Sequence, residues 1–205
     1  MKILITGANG MLAKAVKNEL KDEELICTGS EELDITNVNA VQKFVANVKP
    51  DLIINCAAYT AVDKAEEQQE EAYKTNAIGP KNLAIASKQN NVTLVHISTD
   101  YVFGGDKPVE QVYSEEDEKK PQAVYGITKL AGEKFIEENC SNHYIFRTAW
   151  LYGEGNNFVK TMINLSKDRN EVSVVNDQHG SPTYSVDLAS IIHQAIDKKI
   201  PFGTY

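Results

Sequence analysis

Lys2-Ile3-Leu4-Ile5-Thr6-Gly7-Ala8-Asn9-Gly10 is the stretch whose reading decides the fold of this chain. Its first five residues form a short apolar, β-rich run, as expected of a buried strand. Gly7-Ala8-Asn9-Gly10 breaks the run, and a helical stretch follows over residues 11–20. Strand, glycine turn and helix in that order give meaning to the pattern Gly7-x-x-Gly10-x-x-Ala13. Gly7 permits the tight turn, Gly10 lets backbone approach a pyrophosphate, and Ala13 is small enough for close helix–strand packing. The free N–H groups of the helix start, here Met11 and Leu12, can then meet phosphate oxygens. A glycine turn that binds nothing has the same local pattern, so the rest of the chain must decide.

Outward from this turn, strands and helices alternate. Strands are expected over residues 24–28, 52–56, 92–98 and 143–147, and helices over 37–48 and 125–139. Residues 65–90 form a long helical stretch, with a kink or break at Gly79-Pro80. Leu52-Ile53-Ile54-Asn55-Cys56 is apolar on both faces, which marks a parallel strand covered on both sides. Such alternation predicts an α/β fold with a doubly wound, Rossmann-type parallel sheet. We place it over residues 1–150, followed by a small substrate lobe over 151–205. That lobe is read as a helix over 156–167, a short strand at Val172-Ser173-Val174-Val175, a turn-rich loop, and a last helix capped by Ser185. Residues 104–122 are polar and charged, and read as a surface loop or lid.

In open α/β sheets, ligands lie beyond the carboxyl ends of the strands. Ala57-Ala58-Tyr59-Thr60 follows one such end and leaves room for a cofactor; Thr99-Asp100-Tyr101 follows another. Asp34 either meets an adenine amino group or caps the helix after it. Thr28 and Ser30 stand where an NAD site often has an acidic residue, which favours NADPH, or use of both NADPH and NADH. Tyr125-Gly126-Ile127-Thr128-Lys129 then puts a phenol and an ammonium one turn apart on a helix face. The cation is expected to lower the tyrosine pKa, making an acid/base pair for a carbonyl or alcohol while hydride moves at carbon. Thr99 can hydrogen-bond the reacting oxygen.

The 205 residues carry a formal charge of −8, with 42% hydrophobic and 24% charged residues. This is globular composition, and the diffuse acidic surface argues against nucleic acid or an anionic membrane as partner. Cys27, Cys56 and Cys140 share no metal-type spacing, and the four histidines lie far apart, so no metal is expected. Reduced thiols and the brief apolar run at the start lead us to expect a cytoplasmic protein.

These motifs in this order, Thr6-Gly7-x-x-Gly10, Asn55-Cys56-Ala57-Ala58, Ser98-Thr99 and Tyr125-x-x-x-Lys129, resemble the extended short-chain dehydrogenase/reductase family. The likeness continues through Leu33-Asp34-Ile35, Arg147-Thr148-Ala149-Trp150 and Asp177-Gln178-x-Gly180-x-Pro182-Thr183. It implies that Gly10, Met11 and Leu12 hold a pyrophosphate and that Asp34 and Ile35 border the adenine. Ala57, Ala58, Tyr59 and Thr60 would line the cofactor, with Thr60 and Val62 near the sugar of the substrate. Thr99, Tyr125 and Lys129 would be catalytic, with Asp100, Tyr101 and Trp150 beside the substrate. The implied reaction is reduction of the 4-keto group of dTDP-4-dehydro-L-rhamnose by NAD(P)H, giving dTDP-L-rhamnose for polysaccharide. A homodimer is left open. Members of the family usually run further than Tyr205, so an incomplete substrate lobe is expected. Two other readings remain: a non-catalytic NADP-binding regulator, and an enzyme acting on another nucleotide-linked keto sugar.

Overall fold

The computed structural model describes residues 1–205. Six parallel strands form one sheet in the order β2-β1-β3-β4-β5-β6. They are β1 (Lys2–Thr6), β2 (Glu24–Thr28), β3 (Leu52–Asn55), β4 (Thr93–Thr99), β5 (His143–Thr148) and β6 (Gly203–Thr204). The helices are α1 (Met11–Glu19), α2 (Val38–Val48), α3 (Val62–Glu67), α4 (Gln69–Tyr73), α5 (Gly79–Asn90), α6 (Val124–Asn139), α7 (Phe158–Asp168) and α8 (Ser185–Lys198). No helix is long and apolar enough to cross a membrane.

Both faces of the sheet are covered, and strand alternation shows how. Ile3, Ile5, Leu52, Ile54 and Val95 point to one face, where α1 and α8 bury Leu12, Val16, Leu188 and Ile192. Leu4, Ile53, Leu94 and Ile145 point to the other, against Val41 and Val45 of α2, Leu83 of α5 and Ile136 of α6. Each fully buried aliphatic side chain contributes about 1.5–3 kcal/mol relative to exposure, so these two layers supply most of the driving force. The chain leaves β1 towards β2 and returns on the other side of β1 to β3. That reversal opens a crevice beyond the carboxyl ends of β1 and β3.

Several expectations need correction. The long helix expected over 65–90 is broken at Gln68, and Lys74–Ile78 forms a π turn directly before Gly79-Pro80. Residues 172–175 form no strand; Val172, Val174 and Val175 lie exposed, with no neighbouring strand to pair with. Ser185 starts α8 without capping it. Packing on the sheet continues past residue 150. α8 lies in the same apolar layer as α1, and β6 pairs with β5 through Tyr144↔Gly203 and Ile145↔Thr204. Residues 185–205 therefore pack with the sheet, and Leu151 also lies against its core.

Candidate active site

The crevice is a cavity of about 930 Å³. Gly7 and Gly10 close one end. Gly7 has φ +65°, and a Cβ there would come within 2.5 Å of the Ala57 backbone, so the loops after β1 and β3 touch only because no side chain intervenes. α1 begins at Met11 with no side-chain cap on Gly10, and the amides of Met11, Leu12 and Ala13 find no acceptor within the chain. A row of unpaired amides at a helix start, facing a cavity, fits a dinucleotide pyrophosphate. At the far end, Ser98 Oγ and Thr148 Oγ1 are buried without partners, and both line the cavity. Buried hydroxyls are normally satisfied, so these are open to a polar group of a ligand. The residues present therefore fit a nicotinamide dinucleotide.

The expected site residues converge here with one exception. Gly7, Gly10, Met11, Leu12, Asp34, Ile35, Ala57, Ala58, Thr60, Val62, Thr99, Asp100, Tyr101, Tyr125, Lys129 and Trp150 all line the cavity. Tyr59 does not. Its N–H donates to Asn76 Oδ1 at 2.8 Å, its carbonyl accepts from Asn76 Nδ2 at 3.1 Å, and its hydroxyl donates to Gln68 at 2.6 Å. Asp34 does not cap α2, a role taken by Asn37, whose side chain accepts from Ala40 N. Asp34 instead accepts from Thr36 N at 2.9 Å and Thr36 Oγ1 at 2.8 Å. Thr28 is buried against β1, donating to Ile5 O, so it cannot reach a ribose; Gly29 and Ser30 line the cavity in its place. Behind this rim, Glu32 accepts from Gly29 N at 2.7 Å.

The carboxyl end of β4 presents Thr99, whose Oγ1 donates to Asp100 Oδ1 at 3.0 Å and accepts from Tyr101 N at 3.2 Å. Burial raises the Asp100 pKa, against the Thr99 hydrogen bond that favours the carboxylate. Tyr125 lies in the first turn of α6, with the Tyr101 ring edge-on at 5.6 Å. Burial pushes its phenol up to about 12, opposed by hydrogen bonding to Thr99. Here the expectation of a tyrosine activated by Lys129 is corrected. The Lys129 Nζ is turned away from Tyr125, donating to Ile97 O at 2.5 Å and lying 3.2 Å from His96 Nε2. Burial brings its own pKa down to about 8, with Glu133 opposing.

The frame that holds α6 in place escaped the sequence reading. Asn76 in the π turn ties Tyr59 to Thr128 Oγ1, at 3.2 Å, and a Cβ on Gly132 would overlap the Asn76 carbonyl. Glu133 takes a bidentate pair from Arg147 of β5, at 3.0 and 2.7 Å, with both side chains buried. His96, fully buried in β4, has no metal-ligand spacing to mark it in the sequence. The available signal was a titratable ring inside the apolar run Val95-His96-Ile97.

The family model described as RmlD substrate binding domain matches residues 1–205. The chain belongs to this family. Among the curated relatives, a dTDP-4-dehydrorhamnose reductase of Mycolicibacterium smegmatis is 45% identical over 209 residues, covering 98% of this chain but 62% of the relative. The reductase of the same name from Aggregatibacter actinomycetemcomitans is 44% identical, covering 97% of this chain and 68% of its own. Among solved structures, a dTDP-4-dehydrorhamnose reductase of Clostridium acetobutylicum matches with TM-score 0.96 at 55% identity, over 100% of this chain and 73% of that one. Another, from Bacillus anthracis and solved in complex with NADP, matches with TM-score 0.94 at 48% identity, over 100% of this chain and 74% of that one. The chain thus spans less than two thirds of the Mycolicibacterium relative.

Proposed function

We propose that this chain carries the cofactor site and proton-transfer machinery of an NAD(P)H-dependent reductase acting on the 4-keto group of dTDP-4-dehydro-L-rhamnose. The observation that carries this reading is the meeting of Thr99, Tyr125 and Lys129 with the uncapped α1 start in one cavity. The relatives named above and the complex with NADP support the substrate and cofactor class. Residues 151–184 are then the part of the substrate lobe this chain carries, and the cytoplasm, with its nicotinamide pool, is the proposed compartment.

When bound, the nicotinamide supplies hydride. The chain supplies the rest. The amides of Met11 and Leu12 would hold the pyrophosphate, and Gly29 and Ser30 would border the adenosine ribose. A phenol with a pKa of about 12 stays protonated at neutral pH, which suits a group that must give its proton to the carbonyl oxygen. Thr99 Oγ1 polarises that oxygen by hydrogen bonding. Lys129, once swung towards the cofactor ribose, stabilises the phenolate left on Tyr125. Asp100, Tyr101 and Trp150 flank the sugar. Trp150 has φ +44°, a conformation costly for a bulky residue, which holds its ring at the rim.

NADPH and NADH oxidation with dTDP-4-dehydro-L-rhamnose tests this. Turnover should fall by about 10²–10⁴-fold in Tyr125→Phe, with NADPH binding retained. NADPH binding without turnover in the unaltered chain would point to a regulator or to another keto sugar.

A further inference from the structure

Beneath the catalytic helix a buried chain of hydrogen bonds crosses three strands. Thr6 Oγ1 donates to Asn55 Oδ1 at 2.7 Å, and Asn55 Nδ2 lies 2.9 Å from His96 Nδ1. His96 Nε2 lies 3.2 Å from Lys129 Nζ, which also donates to Ile97 O at 2.5 Å. Thr6, Asn55, His96 and Lys129 are all buried.

The orientation of Asn55 is fixed by a partner that can only donate. Ala57 N–H donates to Asn55 Oδ1 at 3.1 Å, so the amide NH2 must face the imidazole. Nδ1 of His96 is then an acceptor. Full burial lowers the His96 pKa well below its ordinary value, so the ring is neutral and carries its single proton on Nε2. That N–H points at Lys129. An ammonium has no lone pair with which to accept it, whereas a neutral amine has one.

We propose that Asn55 and His96 are positioning residues that lock the imidazole in its Nε2–H form, so that the alcove under α6 holds Lys129 as a neutral amine. Protonation then drives the side chain out of the alcove, towards Tyr125 and the ribose. That second position rests on the reductase reading above; the alcove itself does not. Lysine in the alcove accepts from His96, donates to Ile97 O and keeps one N–H free. As an ammonium it faces donor against donor, and the strain is relieved by rotation into the cavity. The other titratable groups facing Lys129 are Glu133 on its own helix, which favours the ammonium, and Cys56 at the end of β3, whose thiol burial pushes up to about 12. Tyr125 shares the cavity. At neutral pH neither Cys56 nor Tyr125 carries charge, so the balance lies between Glu133 and the burial imposed by the His96 alcove.

The test uses the cofactor-free chain and needs neither NADPH nor sugar, so its outcome is independent of whether the chain is a reductase. Nitrogen-15 spectra of the histidines should show His96 neutral with its proton on Nε2 from pH 6 to 9. The carbon-13 signal of Lys129 Cε, assigned by its loss in Lys129→Met, should titrate near pH 8. In His96→Gln the amide oxygen can face the lysine, and the midpoint should rise by about one pH unit or more. In Asn55→Asp the new carboxylate should draw the imidazole proton to Nδ1, and the His96 nitrogen pattern should invert. A proton on Nδ1 in the unaltered chain would overturn the proposal, and that measurement needs no variant to fold. An unmoved Lys129 midpoint in folded His96→Gln would overturn it equally.

Discussion

The two walls of the central cavity differ in how they are held. The wall built by β1, β3, β4 and α6 is backed by buried residues on every element, down to a bidentate ion pair and a fully buried lysine. The opposite wall, formed by Asn156, Asn157 and Phe158 at the start of α7, is carried by a helix with no buried residue, and Phe158 and Ile163 are exposed on it. On the reductase reading proposed above, proton transfer from Tyr125 sits on the first wall and needs close placement, whereas the sugar meets a surface that can adjust. On that reading the chain concentrates its packing where proton transfer has to be positioned.

The comparison would break first at the pin between α6 and β5. Glu133→Leu leaves the Arg147 guanidinium buried without its partner and should cost about 3–5 kcal/mol in urea unfolding. Adding Arg147→Met should restore much of that loss, since a buried pair can often be replaced by apolar packing. If the single variant costs under 1 kcal/mol, the pin is not what holds the catalytic wall.

A smaller effect follows from the buried titratable groups. The Lys129 pKa is about 8 in the folded chain against 10.5 in an unfolded one, so above pH 8 the unfolded state binds more protons. Stability should therefore rise with pH there, by about 1 kcal/mol between pH 8 and 9. The rise should then fade. Cys56 and Tyr125 both have folded pKa values of about 12, above their ordinary 9 and 10, so from pH 9 upward the folded state binds the extra protons and loses stability. Unfolding midpoints at a series of pH values would show the rise, and Lys129→Met should abolish it.

Much of the first wall was legible because it rests on local patterns. The unbroken apolar runs within Lys2–Thr6 and Leu52–Asn55 encode a sheet covered on both faces, and Gly7, Gly10, Tyr125 and Lys129 carry their spacing openly. The direction of Lys129 was not legible. It depends on a carbonyl at residue 97 and a ring at residue 96, neither of which is near it in sequence. The return of α8 and β6 to the sheet was likewise hidden, because amphipathic periodicity tells that a face is buried but not against which partner. Val172 to Val175 misled in the opposite way. β-branched composition alone forms no strand when no neighbour offers a hydrogen-bonding edge.

The smallest expected effect lies on the second wall and separates stability from recognition. Phe158 and Ile163 are 66% and 54% exposed, and Phe158 alone of the two lines the cavity. Little apolar area leaves water at either position, so Phe158→Ser and Ile163→Ser should each change unfolding free energy by no more than about 0.5 kcal/mol. By contrast, Ile54→Ala, fully buried on the first wall, should cost about 2–5 kcal/mol. If recognition resides on this wall, Phe158→Ser should raise KM for the nucleotide sugar while leaving NADPH affinity unchanged, and Ile163→Ser should alter neither. A loss of several kcal/mol in Ile163→Ser would mean that α7 is packed in solution against something its exposure does not reveal, and the contrast between the two walls would collapse.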